Sequence, residues 1–453
     1  MPDLRVPWGH EEFLIALPDH WELEQVAAPS LRAAPADWAD CLAAALSQPV
    51  AGEPLGRLLA ARPKGRIALV VEDVTRHSPL PEILGPILRE IRHARLADDQ
   101  VEVVFAVGMH QPMTEEQARR KLGPSGEGLR WRSNPWNDRS AHVYLGAAGQ
   151  VPVWVDRGVA TADLRIVISA VTPHLQAGFG GGYKMLVPGC AHLETIRALH
   201  HLRLPRRARQ LAGLDESHNA MRAAIDAAGA MVDAAGGTTF AVQYLLDGRD
   251  LPASVAAGEM LPAWGMIRKQ CAVACGILTA GSADVLIAGA HPRDYDLWQS
   301  FKCIPNTVWA ARPGGVVICL ARCEAGLYGM RVPPWPLSPA WTRRLVRLLG
   351  AEAMASLLAR LLPTLAGDAA FFIRLAAQML DRNPILMVSP ALHASGGAFP
   401  GLKVLPTMAA AVAAAERLLP PGRRRVVVFP AGGISFPILQ PRTTAPGRIQ
   451  PEA

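Results

Sequence analysis

The chain has 453 residues, half of them hydrophobic and 19% charged, which excludes general disorder and, at about 100–200 residues per domain, calls for two or three domains. Lysine plus arginine outnumber aspartate plus glutamate by 46 to 39, a net charge of +7, and the basic clusters lack the interleaved aromatics of a nucleic-acid surface. Only six lysines stand against forty arginines, so each lysine merits attention.

In chain order, the N-terminus lacks the basic stretch and apolar run of a secretory signal. A strand is expected at 12–17 and an Ala-rich helix near 37–46. Residues 66–71 (RIALVV) form a short apolar run bounded by charge, the signature of a buried parallel strand, and feed a polar loop and an amphipathic helix at 81–92. The pattern repeats: a strand at 101–107, a loop, and a helix opened by Thr114 with two acids behind it. A third strand at 164–169 precedes the loop 170–182, and a helix follows at 191–202. A second block starts near Met266, with strands at 283–290, 316–321, 384–389, 402–405 and 425–429. Its helices are expected at 296–304, stopped by Pro305, and at 341–362, 368–380 and 408–419; the tail 441–453 has no periodicity and is expected to fray. Seven cysteines without CxxC pairing suggest a reduced, cytoplasmic protein, and no apolar stretch is long enough to span a bilayer.

In open α/β sheets ligands bind beyond the carboxyl ends of the strands. Those positions hold Asp73, Thr75, Arg76 and His77, then His110, then His174, Gly178, Gly180, Gly181, Gly182 and Lys184. Taken singly, each has a bland reading as a cap, a surface histidine or a turn glycine; together, after three successive strands, they mark a site. The stretch QAGFGGGYKM fits neither the G-x-G-x-x-G fingerprint nor the P-loop, which disfavours a conventional NAD-dependent dehydrogenase and leaves a tight turn or a single-phosphate cradle. The helix carrying His192, His200 and His201 has no HExxH or H-x₃-H pattern. In the second block Asp294, Asp296, Gln299 and Lys302 occupy the same post-strand position.

These segments, Asp73-Val-Thr-Arg76, Gly108-Met-His110-Gln-Pro, Pro173-His174 through Gly178 to Lys184, and Pro188-Gly189 through Glu194-Thr195-Ile196 to His200, resemble in order and spacing the nickel-dependent lactate racemase family over about residues 6–440. The resemblance implies an α/β fold of two domains, each with a mainly parallel sheet flanked by helices, and an active site in the interdomain cleft. The expected boundaries are 1–265, completed by about 424–440, for a cofactor-binding and catalytic domain, and 266–423 for a C-terminal one. It implies a nickel-pincer nucleotide, a pyridinium mononucleotide with two sulfur-bearing arms holding nickel, covalently attached at Lys184, with His200 as the protein's nickel ligand. His110 and His174 would be the acid/base pair. Arg76, Lys302, Gln299 and Trp298 would contact substrate, and Asp73, Thr75 and Gly178 to Gly182 would bind cofactor. The activity implied is inversion at C2 of a 2-hydroxy acid by reversible hydride transfer through a 2-keto acid. Its partners would be that acid and the cofactor-biosynthesis enzymes, with no nucleic acid and no membrane.

Two departures bear on the substrate. His77 replaces the family's usual proline, and Trp298 a smaller aromatic. A sugar-acid (aldonate) 2-epimerase or an aromatic 2-hydroxy acid racemase with the same cofactor stays open, as does a non-catalytic nucleotide- or organic-acid-binding paralogue. Retention of every matching catalytic residue favours an enzyme.

Overall fold

A computed structural model describes residues 4–9, 11–202, 209–214, 217–327, 337–361, 370–396, 399 and 401–440. The chain divides into two compact units: an inner one, in sequence terms, of residues 30–204 and 211–274, and an outer one comprising the chain before Ser30 and after Ala274 together with 209 and 210.

The inner unit is built on a six-stranded sheet ordered Pro252–Gly258, Thr238–Leu246, Leu164–Ala170, Ile67–Val71, Val101–Phe105, Arg130–Ser133. All neighbours are parallel except the outermost pair, Thr238–Leu246 with Pro252–Gly258. The two central strands, IALVV and LRIVISA, are buried at every position. That is why they read as unbroken apolar runs rather than alternating ones. Helix Leu80–His93 packs Ile83, Leu84, Ile87 and Ile91 onto the sheet, beside Leu42 and Leu46 of helix Trp38–Ser47.

The outer unit holds a second six-stranded sheet, wholly parallel, in the order Leu402–Leu405, Ile385–Val388, Ala311–Leu320, Ala283–Gly289, Arg424–Phe429, Trp21–Val26. This corrects the expected boundaries. Residues 424–429 pair with Ala283–Gly289 on one side and Trp21–Val26 on the other, so both of these segments belong to the second sheet and neither completes the first. The long helix expected at 341–362 is two, Pro339–Leu349 and Ala351–Leu361, because Gly350 sits at φ 85° between them. The helix expected at 296–304 is also two, Leu297–Ser300 and Cys303–Thr307. Pro305 lies inside the second, in a first turn whose N–H groups need no intrahelical partner. The expected helix start at 368 and the tail 441–453 lie outside the described residues. No helix among the described residues is long and apolar enough to cross a membrane.

Candidate active site

The inner sheet reverses its winding between Ile67–Val71 and Leu164–Ala170: the strands after the first step one way, the later ones lie on the other side. Such a switch point opens a crevice at the carboxyl ends, where backbone groups are left for ligands. Residues 72–78, 106–113 and 171–184 all follow strands at this edge.

Glu72, 5% exposed, ties the edge together. Its Oε1 accepts the Ala170 N–H at 2.8 Å, and its Oε2 accepts Ser78 Oγ at 2.6 Å and the Tyr244 hydroxyl at 3.1 Å. Burial and the neighbouring carboxylate push the Tyr244 hydroxyl pKa far up, so it stays a donor. Next in chain, Asp73 accepts both the backbone N–H (2.9 Å) and hydroxyl (2.5 Å) of Thr75 on Oδ1, and faces His110 Nδ1 at 2.5 Å with Oδ2. Burial alone would raise the Asp73 pKa, but His110, Arg76 and the Thr75 hydroxyl outweigh it and hold the carboxyl well below the usual carboxylate range. Arg76 turns one guanidinium nitrogen back onto Thr75 Oγ at 3.0 Å, so Thr75 braces acid and base alike.

The two site histidines have opposite proton placements. A carboxylate only accepts, so His110 carries a proton on Nδ1 toward Asp73, and in the neutral ring the lone pair falls on Nε2. In His174, by contrast, Nδ1 accepts the backbone N–H groups of Gln176 at 3.3 Å and Ala177 at 3.0 Å, so neutral His174 carries its proton on Nε2. His110 is further fixed by Trp136, whose indole N–H donates to its carbonyl at 3.1 Å.

The glycine loop packs densely. The N–H groups of Phe179, Gly180 and Gly182 donate to Ala177 O, Thr172 O and Gln243 Oε1. Trp264 donates to the Gly180 carbonyl at 2.9 Å and is stacked beneath the Arg222 guanidinium at 4.2 Å. A Cβ at Gly178 would sit 1.8 Å from the Leu214 carbonyl oxygen, and one at Gly182 would sit 2.9 Å from the Trp264 ring. These glycines are therefore required by their neighbours, and those three amides are already engaged within the protein.

Lys184 follows in a single 3₁₀ turn, Gly182–Met185, half-buried. Tyr183 anchors that turn: its hydroxyl donates to Asp233, and its ring lies where Gly229 leaves room. His200 stands in the last turn of helix Leu193–His201, whose N-cap is His192, accepting the Glu194 N–H at 3.3 Å. His77, exposed, reaches within 3.6 Å of Asp250.

In the outer unit, Asp296 caps the Leu297–Ser300 turn through the Gln299 N–H at 2.7 Å, and Lys302 donates to Gln299 Oε1 at 2.7 Å. Both Gln299 and Lys302 are 9% exposed, while Trp298 is half-buried. Asp294 accepts the Gly9 N–H at 3.0 Å, which joins the early VPWG segment to this turn. No group of three or more His, Cys, Asp or Glu side chains among the described residues could hold a metal ion unaided. Sequence reasoning passes over Glu72 and Tyr183; adjacency to Asp73 and Lys184 is the one signal they carry.

Residues 8–211 match the lactate racemase N-terminal domain. The chain is 25% identical over 345 residues to the lactate racemase of Thermoanaerobacterium thermosaccharolyticum, covering 74% of this chain and 78% of that one. It is 27% identical over 293 residues to the lactate racemase of Lactiplantibacillus plantarum, covering 62% and 65%. In fold it is similar to the lactate racemase apoprotein of T. thermosaccharolyticum, with TM-score 0.77 at 19% identity over 96% of this chain and all of that one. A Thermotoga maritima protein gives TM-score 0.60 at 15% identity over 85% and 96%. The matched domain and the curated relatives agree in their similarity to lactate racemases, which are isomerases, and the fold is similar to that of a lactate racemase apoprotein.

Proposed function

We propose that this protein inverts the C2 centre of a 2-hydroxy acid, using a nickel-pincer nucleotide attached at Lys184. The observation that carries the reading is the pair of histidines with opposite proton placements, His110 backed by Asp73 and His174 accepting backbone amides, at one edge of the inner sheet.

Removing the C2 hydrogen as a proton would build a second negative charge beside the carboxylate, so the hydrogen leaves more readily as hydride while the hydroxyl proton goes to a base. His110 Nε2 suits that base, since Asp73 stabilises the imidazolium that results. We propose His174 as its counterpart for the other stereoisomer, because the two isomers present their hydroxyls in different directions. Arg76 suits the substrate carboxylate through a guanidinium fork that can take two oxygens. For Lys302, Gln299 and Trp298 we propose substrate contact on the family resemblance.

The residues present fit the cofactor. No group of three or more His, Cys, Asp or Glu side chains among the described residues could hold a metal, so in this reading His200 is one nickel ligand and the pincer would bring the others. Lys184 offers a half-buried amine on a turn fixed by Tyr183, suited to the amide-type bond that a guanidinium would not form. The group supplies, when bound, an acceptor for the C2 hydrogen as hydride. Asp73, Thr75 and the 178–182 loop would shape its pocket.

The test is co-expression with the cofactor-synthesis enzymes, followed by intact mass and metal analysis. Stereoisomer interconversion is then screened across aliphatic, aromatic and sugar-derived 2-hydroxy acids. An adduct on Lys184 with nickel and at least one interconverted acid supports the reading; unmodified Lys184 without nickel sinks it.

A further inference from the structure

Helix Glu115–Leu122 begins four residues after His110, at its Thr114 cap, and carries Lys121 in its last turn. The Lys121 ammonium donates to the carbonyl of Arg76 at 2.6 Å, the carbonyl of Ser78 at 3.3 Å and the hydroxyl of Ser78 at 3.3 Å. Three acceptors of one turn thus converge on the three donors of one amine. At the other end of the same segment, His110 bonds Asp73. Residues 110–121 therefore grip residues 73–78 at two points, one at each end.

Electrostatics fits the same placement. Glu72 and Asp73 are both buried. They and Asp250 attract the ammonium, whereas Arg76 repels it; burial, the largest influence, pushes its pKa down. His77 and Arg120, also charged or titratable, line with Arg76, Gln117 and Lys121 a cavity of about 300 Å³ at this turn. That space admits a guanidinium at position 121, but its planar fork does not place three donors on one point.

We propose that Lys121 is a positioning residue for the acid–base chemistry: it clamps the 76–78 turn to the end of the helix and thereby sets Arg76 and the Asp73–His110 pair. The proposal rests on the functional reading above. It accounts for one of the few lysines in an arginine-rich chain, since the site uses a compact ammonium where arginine would keep only the charge.

The experiment uses the full chain with Lys121→Met and Lys121→Arg. The His110 imidazole is titrated by NMR without cofactor, and kcat and KM are measured on the loaded enzyme. Lys121→Met removes a cation near the pair, so the His110 midpoint should rise, and kcat should fall about 10- to 100-fold. Lys121→Arg should return the midpoint and leave kcat depressed. An unchanged midpoint and kcat in Lys121→Met, or full recovery of kcat in Lys121→Arg, overturns the proposal. If the Met variant does not fold, the Arg variant alone decides: undiminished kcat refutes the clamp. Absence of turnover by the unaltered enzyme on every 2-hydroxy acid would instead defeat the functional reading, and the NMR titration would still report on Lys121.

Discussion

Asp73 Oδ2 and His110 Nδ1 lie 2.5 Å apart although 37 positions separate them in the chain, because the parallel strands Ile67–Val71 and Val101–Phe105 end side by side. Replacing Asp73 with Asn keeps the shape but removes the obligate acceptor. With cofactor attachment intact, kcat should fall about 100- to 10,000-fold. Steady-state kinetics together with intact mass checks this; wild-type kcat in Asp73→Asn would remove the pair from the mechanism.

The same carboxylate links stability to pH. Its pKa is lower folded than its ordinary 3.8, so its contribution is fully present above that value and is lost as pH falls toward the folded one. Urea unfolding at pH 6 and pH 3.5 should show a larger loss for the wild type than for Asp73→Asn. Equal losses would show that Asp73 is not stabilised as a carboxylate.

Lys184→Arg retains a positive charge and changes only the chemistry of the nitrogen. Mass spectrometry after co-expression should find no adduct in Lys184→Arg or Lys184→Ala, with far-UV dichroism unchanged. An adduct in either would relocate the attachment point.

His110→Ala and His174→Ala should retain the adduct and lose turnover. Since the two rings hold their protons on different nitrogens, the two variants should not be equivalent toward the two stereoisomers. Pre-steady-state consumption of each stereoisomer separately should be impaired to different extents in the two variants. Identical impairment for both isomers in both variants would argue against a division of labour.

Gly178 has φ 73° and faces the Leu214 carbonyl. Gly178→Ala should cost about 2 kcal/mol or more through backbone strain and displacement of that carbonyl. A thermal unfolding midpoint equal to wild type would contradict the packing described.

Much of this site is legible in the amino-acid sequence. Strands such as Ile67–Val71 announce themselves as apolar runs ended by charge, and the topology of parallel sheets then points to the residues that follow them. Side-chain pairing across the fold leaves no local trace. Glu72 and Lys121 look like ordinary polar residues until Ala170, Tyr244 and the 76–78 turn are brought beside them. The glycines of 178–182 suggest both a turn and a phosphate cradle, because what demands a glycine here, Leu214 or Trp264, lies elsewhere in the sequence. The segment WELEQV, Trp21–Val26, goes unrecognised as a strand: it alternates as an edge strand does, and its partner Arg424–Phe429 is at the far end of the chain.

That last pairing bears on biosynthesis. Trp21, wholly buried, hydrogen-bonds Glu416 across 395 positions, and its strand is made long before the neighbour it needs. On the ribosome the inner unit can be finished while the outer sheet still lacks Arg424–Phe429, so the early strand must wait with neither edge paired. A nascent chain stalled before residue 424 should therefore be protease-resistant in its inner unit and recruit chaperones at its N-terminal end.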